Sequence, residues 1–387
     1  MRVLKKVLLG LFGLILLCIL ALMLTGNQHV LYGLSKTYLI GKSQPDIDDM
    51  AYFDVREIKA GPAESWPAHS LLGKKELNPD DLSFLKSMET SAFLVFHRDS
   101  LLAEYYGEGC DRTTRTNSFS MAKSFTGMLI GVAIEEGYIK SVDQKVSDFI
   151  PEFSQGKDAE LTIRHLLQMS SGIPFGESYS SPFGYMARAY YGKNLLEETM
   201  KYSVKNDPGT LWMYEGGNTV LLSVVLQKAT GKNLSRYFEE KIWSCIGAEN
   251  SAFWNLDKKD GMEKAYSAVY ATASDYARIG SLYMNNGVWD SDTLVPSHFV
   301  KESLEATMVP DSTGEKCSWY GFHWWLGQYK GHDIFSCRGL RGQYIVVVPD
   351  VELMFVRTGH KQDKERIEHM PTDLFRYLDI TWALADL

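Results

Sequence analysis

This chain lacks the usual marks of a metal or redox protein. Its five cysteines (Cys18, Cys110, Cys245, Cys317 and Cys337) form no C-x-x-C pair, and its nine histidines form no H-x-H or H-x-x-x-H pair. Spacings of that kind present two ligands to one ion, so neither a metal nor another cofactor is expected. No glycine-rich phosphate loop, internal repeat or low-complexity block occurs, which excludes nucleotide-cradling loops and solenoids. Positive charge is also scarce. Lys and Arg number 40 against 48 Asp and Glu, and three of the basic residues, Arg2, Lys5 and Lys6, lie ahead of the N-terminal apolar run. The acidic body that remains is a poor match for nucleic acid, whose phosphates need a concentrated basic surface. Long apolar runs are absent except for one at the N-terminus.

What is present is a globular composition, with 45% apolar and 23% charged residues among 387. Behind Arg2, Lys5 and Lys6 lies the uncharged run Val7 to Gly26, long enough to span a bilayer. The basic flank predicts that residues 1–6 stay in the cytoplasm and the body lies on the extracytoplasmic side, periplasmic or extracellular. A cleaved signal peptide shows the same order of charge and apolar run. The exit Leu22-Met23-Leu24-Thr25-Gly26 offers no clean small-x-small site, which favours an uncleaved transmembrane anchor over 7–26. In an oxidising compartment one disulfide among the last four cysteines and buried free thiols are both open readings.

Beyond the anchor, residues 27–79 have weak periodicity and read as a stalk and wrapping segment, followed by a catalytic domain over 80–387. Ala92 to Gly107 gives two β-rich runs around Arg98-Asp99-Ser100, a hairpin pattern. From Met121, the positions Phe125, Met128, Leu129 and Val132 form one helical stripe. A helical subdomain is expected at about 135–300, including Ile163–Met169, Thr219–Ala229 and Ala273–Asn285, with Asp275 as an N-cap of the last. Strands are expected at Asp333–Cys337, Gln343–Val348 and Val351–Val356, and a helix over Asp363–Leu387. Strands from both chain ends with helices between them predict an α+β fold: an antiparallel sheet flanked by helices, carrying a large helical insertion.

The residues that carry chemistry begin with Ser120-Met121-Ala122-Lys123 at the start of a helix. Three residues apart on a helix, Ser and Lys share a face. A serine hydroxyl is a weak nucleophile until a base adjoins it, and a lysine can serve as that base. The helix start adds N–H groups able to stabilise an oxyanion. The tetrapeptide is common by chance, but Leu161-Thr-Ile-Arg-His-Leu-Leu-Gln-Met-Ser-Ser-Gly-Ile-Pro174 and Pro208-Gly-Thr-Leu-Trp-Met-Tyr-Glu-Gly-Gly-Asn218 follow in order. Lys241 to Ala248 and Ala271 to Gly280 add two further blocks. Together these resemble the serine β-lactamase and penicillin-binding protein superfamily, in its class C-like branch. The 6-aminohexanoate-dimer hydrolase and esterase-like members are the nearest in pattern.

That resemblance implies Ser120 as the acylated nucleophile, Lys123 as its proton partner and Tyr214 as the phenol that relays a proton to the leaving group. It implies an oxyanion hole from the backbone N–H groups of Ser120 and Leu340. Cys337-Arg338-Gly339-Leu340 stands where the family has K-T-G, with Gly339 permitting close backbone approach and Arg338 or Arg341 able to meet a substrate carboxylate. Gly216 stands where the family's tyrosine motif has Asn or Ser, and Asn218 comes two residues late. Arg357-Thr358-Gly359 imitates K-T-G but reads as a turn after the last strand. Tyr185 belongs to an aromatic-rich segment, with Phe175, Tyr179, Phe183, Tyr190 and Tyr191, expected to line a substrate cleft. His165, Trp324 and Trp325 read as packing residues. The implied function is hydrolysis of small amides or esters through an acyl-enzyme on Ser120, the altered third motif arguing against penicillin recognition. The alternatives are a D-alanyl peptidase or β-lactamase, and a non-catalytic binder or sensor on the same fold.

Overall fold

A computed structural model describes residues 1–387. The chain opens with helix α1 (Arg2–Leu24), none of whose residues is buried, and turns at once into α2 (Gln28–Lys36). Strand β1 (Val55–Ile58) and α3 (Pro79–Ser87) follow, then the hairpin β2 (Thr90–His97) and β3 (Ser100–Tyr106), and β4 (Arg115–Asn117). Helices α4 (Met121–Glu135) and α5 (Gly216–Thr230) carry the middle of the chain. After β5 (Ala252–Asn255), β6 (Val269–Thr272) and α6 (Ala273–Met284) come four consecutive strands: β7 (Trp325–Tyr329), β8 (His332–Gly339), β9 (Gln343–Val348) and β10 (Leu353–Gly359). Helix α7 (Thr372–Leu384) ends the fold.

The main sheet has the order β3-β2-β10-β9-β8-β7, every pairing antiparallel. Strands from both ends of the chain thus share one sheet, as the pattern of strands and helices predicts. Its central strands are buried on both faces, and alternation divides their side chains between two cores. Leu94, Phe96, Ile345, Val347, Met354 and Val356 face a 64-residue core beneath α4, α5 and α6. Phe93, Val95, Tyr344, Val346, Leu353 and Phe355 face a 20-residue core that includes residues of α3 and α7. At about 25 cal/mol per Å² of apolar surface, these two cores dominate stability. A second sheet, β1-β5-β6-β4, lies beside the start of α4.

Several expectations are corrected. Residues 27–79 do not hang as a stalk: α2 packs on the helix Tyr185–Tyr191, and β1 pairs with β5. The cap of α6 is Thr272, whose side chain accepts the Asp275 N–H at 3.2 Å; Asp275 sits a turn inside and accepts from Thr272 and from Glu249 N–H. Arg357-Thr358-Gly359 ends β10 within the sheet, with the Arg357 guanidinium buried on the carbonyls of Met88, Gly342 and Lys361. The helix expected from Asp363 begins only at Thr372, after the short strands Arg366–Ile367 and Met370–Pro371. A strand at Trp325–Tyr329 escaped the sequence reading. All five cysteines are free thiols.

Candidate active site

Ser120 is the N-cap of α4, and a sharp turn delivers it there. Phe119 has φ +43°, a left-handed conformation that costs a bulky residue about 1–3 kcal/mol. The turn is held from both sides: the Phe119 N–H donates to Asn117 Oδ1 at 2.8 Å, and the Ser118 N–H to the Val269 carbonyl at 2.7 Å. Strand β8 closes from the opposite side. A Cβ on Gly339 would lie 2.2 Å from the Ser118 carbonyl oxygen, so only glycine lets β8 approach the serine turn this closely. Ser120 and Leu340 consequently line the same cleft, of about 750 Å³.

One turn into α4, Lys123 is 1% exposed. Its Nζ donates to Ser120 Oγ at 2.9 Å and to the Tyr266 carbonyl at 3.2 Å, and lies 4.8 Å from the centre of the Tyr214 ring. The Tyr214 ring is fixed by Trp325 and Tyr320, at centroid separations of 5.3 and 5.9 Å. Ser120, Lys123 and Tyr214 therefore converge, although Tyr214 is 91 residues further along the chain than Lys123. Beneath them, His323 joins α5 to the segment before the aromatic loop: Nε2 meets Thr219 Oγ1 at 2.9 Å and Nδ1 meets the Leu167 carbonyl at 2.9 Å. Burial, reinforced by the Lys123 charge, pushes its pKa down to about 3, so the imidazole is neutral.

Two carboxylates complete the surroundings. Glu177 Oε1 lies 3.9 Å from Lys123 Nζ and accepts the Tyr179 hydroxyl at 2.6 Å, while Oε2 accepts the Gly216 N–H at 2.7 Å. Glu215 is 2% exposed and accepts the N–H groups of Gly176 and Phe175. Burial pushes its carboxyl up to about 7 against the pull of those donors, and the Glu177 charge adds to the rise. Neither carboxylate was foreseen. Glu177 does carry a signal: it is the only Asp, Glu, Lys or Arg between Arg164 and Arg188. Tyr266, which offers its carbonyl to Lys123, has no such signal.

Other expected residues lie elsewhere. Tyr185 is 1% exposed, its ring packed on Phe175 and Tyr202 and its hydroxyl on Thr199, so it is a core residue and does not reach the cleft. Arg338 is buried behind the site, stacked over Trp325 and bonded to Ser336 Oγ and the His369 carbonyl. Arg341 is occupied with the carbonyls of Pro45 and His360. Asn218 is buried against Met169, Cys337 faces the core, and His165 forms a capping box with Thr162. Of the aromatic-rich segment, Tyr179, Tyr190 and Tyr191 line the cleft. Trp324 is core, and Trp325 backs Tyr214.

The opposite wall comes from the N-terminal segment, through His29, Val30, Leu34, Tyr38 and Pro45 among others. Asn27 Oδ1 accepts from Arg188, His29 Nε2 lies 2.9 Å from the Pro182 carbonyl, and the Asn117 N–H donates to the Ile47 carbonyl at 2.8 Å. This wall was invisible in the sequence.

A buried lysine on a serine hydroxyl at a helix start, facing an inner strand edge, is an arrangement suited to nucleophilic catalysis, here on a β-lactamase fold. The Beta-lactamase family model matches residues 84–374, and the chain belongs to that family. It is 26% identical over 305 residues to a 6-aminohexanoate-dimer hydrolase of Paenarthrobacter ureafaciens, a match covering 74% of this chain and 76% of the relative. Among solved structures, a Bacillus anthracis protein provisionally described as a 6-aminohexanoate-dimer hydrolase superposes with a TM-score of 0.72 at 23% identity, covering 87% of this chain and 92% of the other. A family VIII carboxylesterase superposes at 0.61 with 16% identity, covering 80% and 99%. The last two likenesses concern the fold alone.

Proposed function

We propose that this serine hydrolase cleaves small amides or esters through an acyl-enzyme on Ser120. The observation that carries this reading is the 2.9 Å contact between the buried Lys123 Nζ and Ser120 Oγ. Ser120 Oγ attacks the carbonyl carbon and gives its proton to Lys123. The resulting oxyanion is held by the backbone N–H groups of Ser120 and Leu340. As the tetrahedral intermediate collapses, the bond to the amine or alcohol breaks, and the Tyr214 phenol passes the proton to that leaving group. Water then attacks the acyl-enzyme by the reverse proton route, releasing the carboxylic acid and restoring Ser120.

The displacement of Arg338 and Cys337 from the cleft supports an amidase or esterase over a penicillin-recognising enzyme, since neither side chain is free to meet a β-lactam carboxylate. Helix α1, with 23 residues and a mean hydropathy of 3.1 in its most apolar window, serves as the membrane anchor, with the domain outside the cytoplasm. The test is turnover of a panel of short p-nitrophenyl esters and anilides by wild type and Ser120→Ala. Loss of turnover in the variant supports the reading; turnover unchanged by it overturns the reading.

A further inference from the structure

The wall of the cleft that faces Ser120 begins three residues after the apolar helix ends. Only Thr25, Gly26 and Asn27 separate α1 from α2, and the chain is bolted to the domain at that junction by the Arg188–Asn27 hydrogen bond, 2.8 Å long. Gly33 of α2 presses on Tyr191, where a Cβ would sit 3.1 Å from the ring. A nine-residue helix rises about 13 Å, so the cleft stands within roughly that height of the end of α1. On this side Val30, Leu34, Tyr38 and Pro45 line it together with the polar His29, Thr37, Ser43 and Gln44. Met186, Tyr190 and Tyr191 add further apolar and aromatic surface to the same cleft.

The rim continues that apolar surface outward. Leu39 is 79% exposed and Ile40 48% exposed, beside Tyr38 and Leu34, which are themselves partly open to solvent. A contiguous run of exposed large apolar side chains is unusual on a soluble surface and marks a site of contact with another apolar phase. Tyrosine beside it suits the headgroup level of a bilayer. Here the apolar phase is at hand, because the same segment emerges from the span.

We propose that the substrate is a membrane-resident amphiphile: an ester or amide with a long acyl chain, drawn from the leaflet on the domain's side. Leu39 and Ile40 dip into that leaflet, the acyl chain passes along α2, and the carbonyl reaches Ser120. The bond cleaved and the water consumed are those of the mechanism above. The inference rests on the hydrolase and anchor readings and adds the substrate class to them.

The test uses the full chain reconstituted in phosphatidylcholine vesicles. Hydrolysis of 4-methylumbelliferyl palmitate carried in those vesicles is compared with hydrolysis of soluble 4-methylumbelliferyl acetate, for wild type, Ser120→Ala and the double variant Leu39→Asp/Ile40→Asp. The expected result is a kcat/KM at least about tenfold higher for the palmitate ester, from the apolar chain contacts. In the double variant the palmitate rate falls by about tenfold or more while the acetate rate is kept. Acetate turnover that depends on Ser120, with a palmitate rate no higher and unmoved by the double variant, overturns this inference and leaves the hydrolase reading standing. Turnover of neither ester refutes the hydrolase reading and the inference with it. A protein that fails to float with the vesicles refutes the anchor and likewise the inference.

Discussion

Glu177 ties Gly216 to Lys123: one carboxylate oxygen accepts the Gly216 N–H at 2.7 Å, and the other lies 3.9 Å from Lys123 Nζ. The aromatic-rich loop, the helix that follows Tyr214 and the lysine beside Ser120 are thereby joined through one side chain. Glu177→Gln keeps an acceptor and removes the charge. The expected result is a fall in kcat of about tenfold or more with a near-unchanged melting temperature, because an electrostatic contact at a reacting centre outweighs its worth to folding. Steady-state kinetics on a short ester, with a thermal melt of the same samples, check this.

Glu215 sets a pH dependence of stability. Its carboxyl is raised from an ordinary 4.5 to about 7 by burial, so the folded state favours the protonated form. That contribution is complete below the ordinary value, declines as the pH rises, and is gone above about 7. Glu215→Gln mimics the neutral form. Between pH 5 and 8, its melting temperature is expected to fall less than that of wild type, as measured by calorimetry.

How much of this was legible in the sequence depended on how local each signal is. Ser120 and Lys123 are three apart at one helix start, so their contact could be read directly, and the family blocks pointed to Tyr214, whose ring lies beside Lys123. Five of the six strands of the main sheet could be read, the central ones from continuous apolar runs, whereas β7, with Gly327 and Gln328 among its five residues, carries no such run. Glu177 and Tyr266 reach Lys123 only through tertiary folding, which leaves no periodic trace. The misreading of Tyr185 has a physical reason: Tyr185, Met186, Ala189 and Tyr190 lie at helical spacing and turn the first tyrosine into the core. Helix α2 was missed because it has only nine residues, Gln28–Lys36, and follows the apolar run after a three-residue break. Thr272 and Asp275 are both capping types three residues apart, and only geometry tells the cap from its partner.

Gly339 is a geometric requirement. Gly339→Ala would set a methyl group 2.2 Å from the Ser118 carbonyl, against backbone that cannot swing aside. The expected cost is about 1–3 kcal/mol of stability, with the serine turn displaced and kcat reduced. Denaturant unfolding and ester kinetics together check both effects.

Tyr214→Phe separates packing from proton transfer. The ring keeps its contacts with Trp325 and Tyr320, so the fold should hold. Loss of the hydroxyl is expected to lower kcat by about 10² to 10⁴, the usual range for a positioned acid or base. Unchanged kcat would remove Tyr214 from the proton route.

The central claim, that Lys123 makes Ser120 a nucleophile, is tested most directly by intact-mass spectrometry after exposure to a fluorophosphonate. Wild type, Ser120→Ala and Lys123→Ala are compared. The account predicts a single adduct on wild type, none on Ser120→Ala and strongly slowed labelling of Lys123→Ala. A folded wild-type protein that takes no adduct, or an adduct that survives Ser120→Ala, would contradict it.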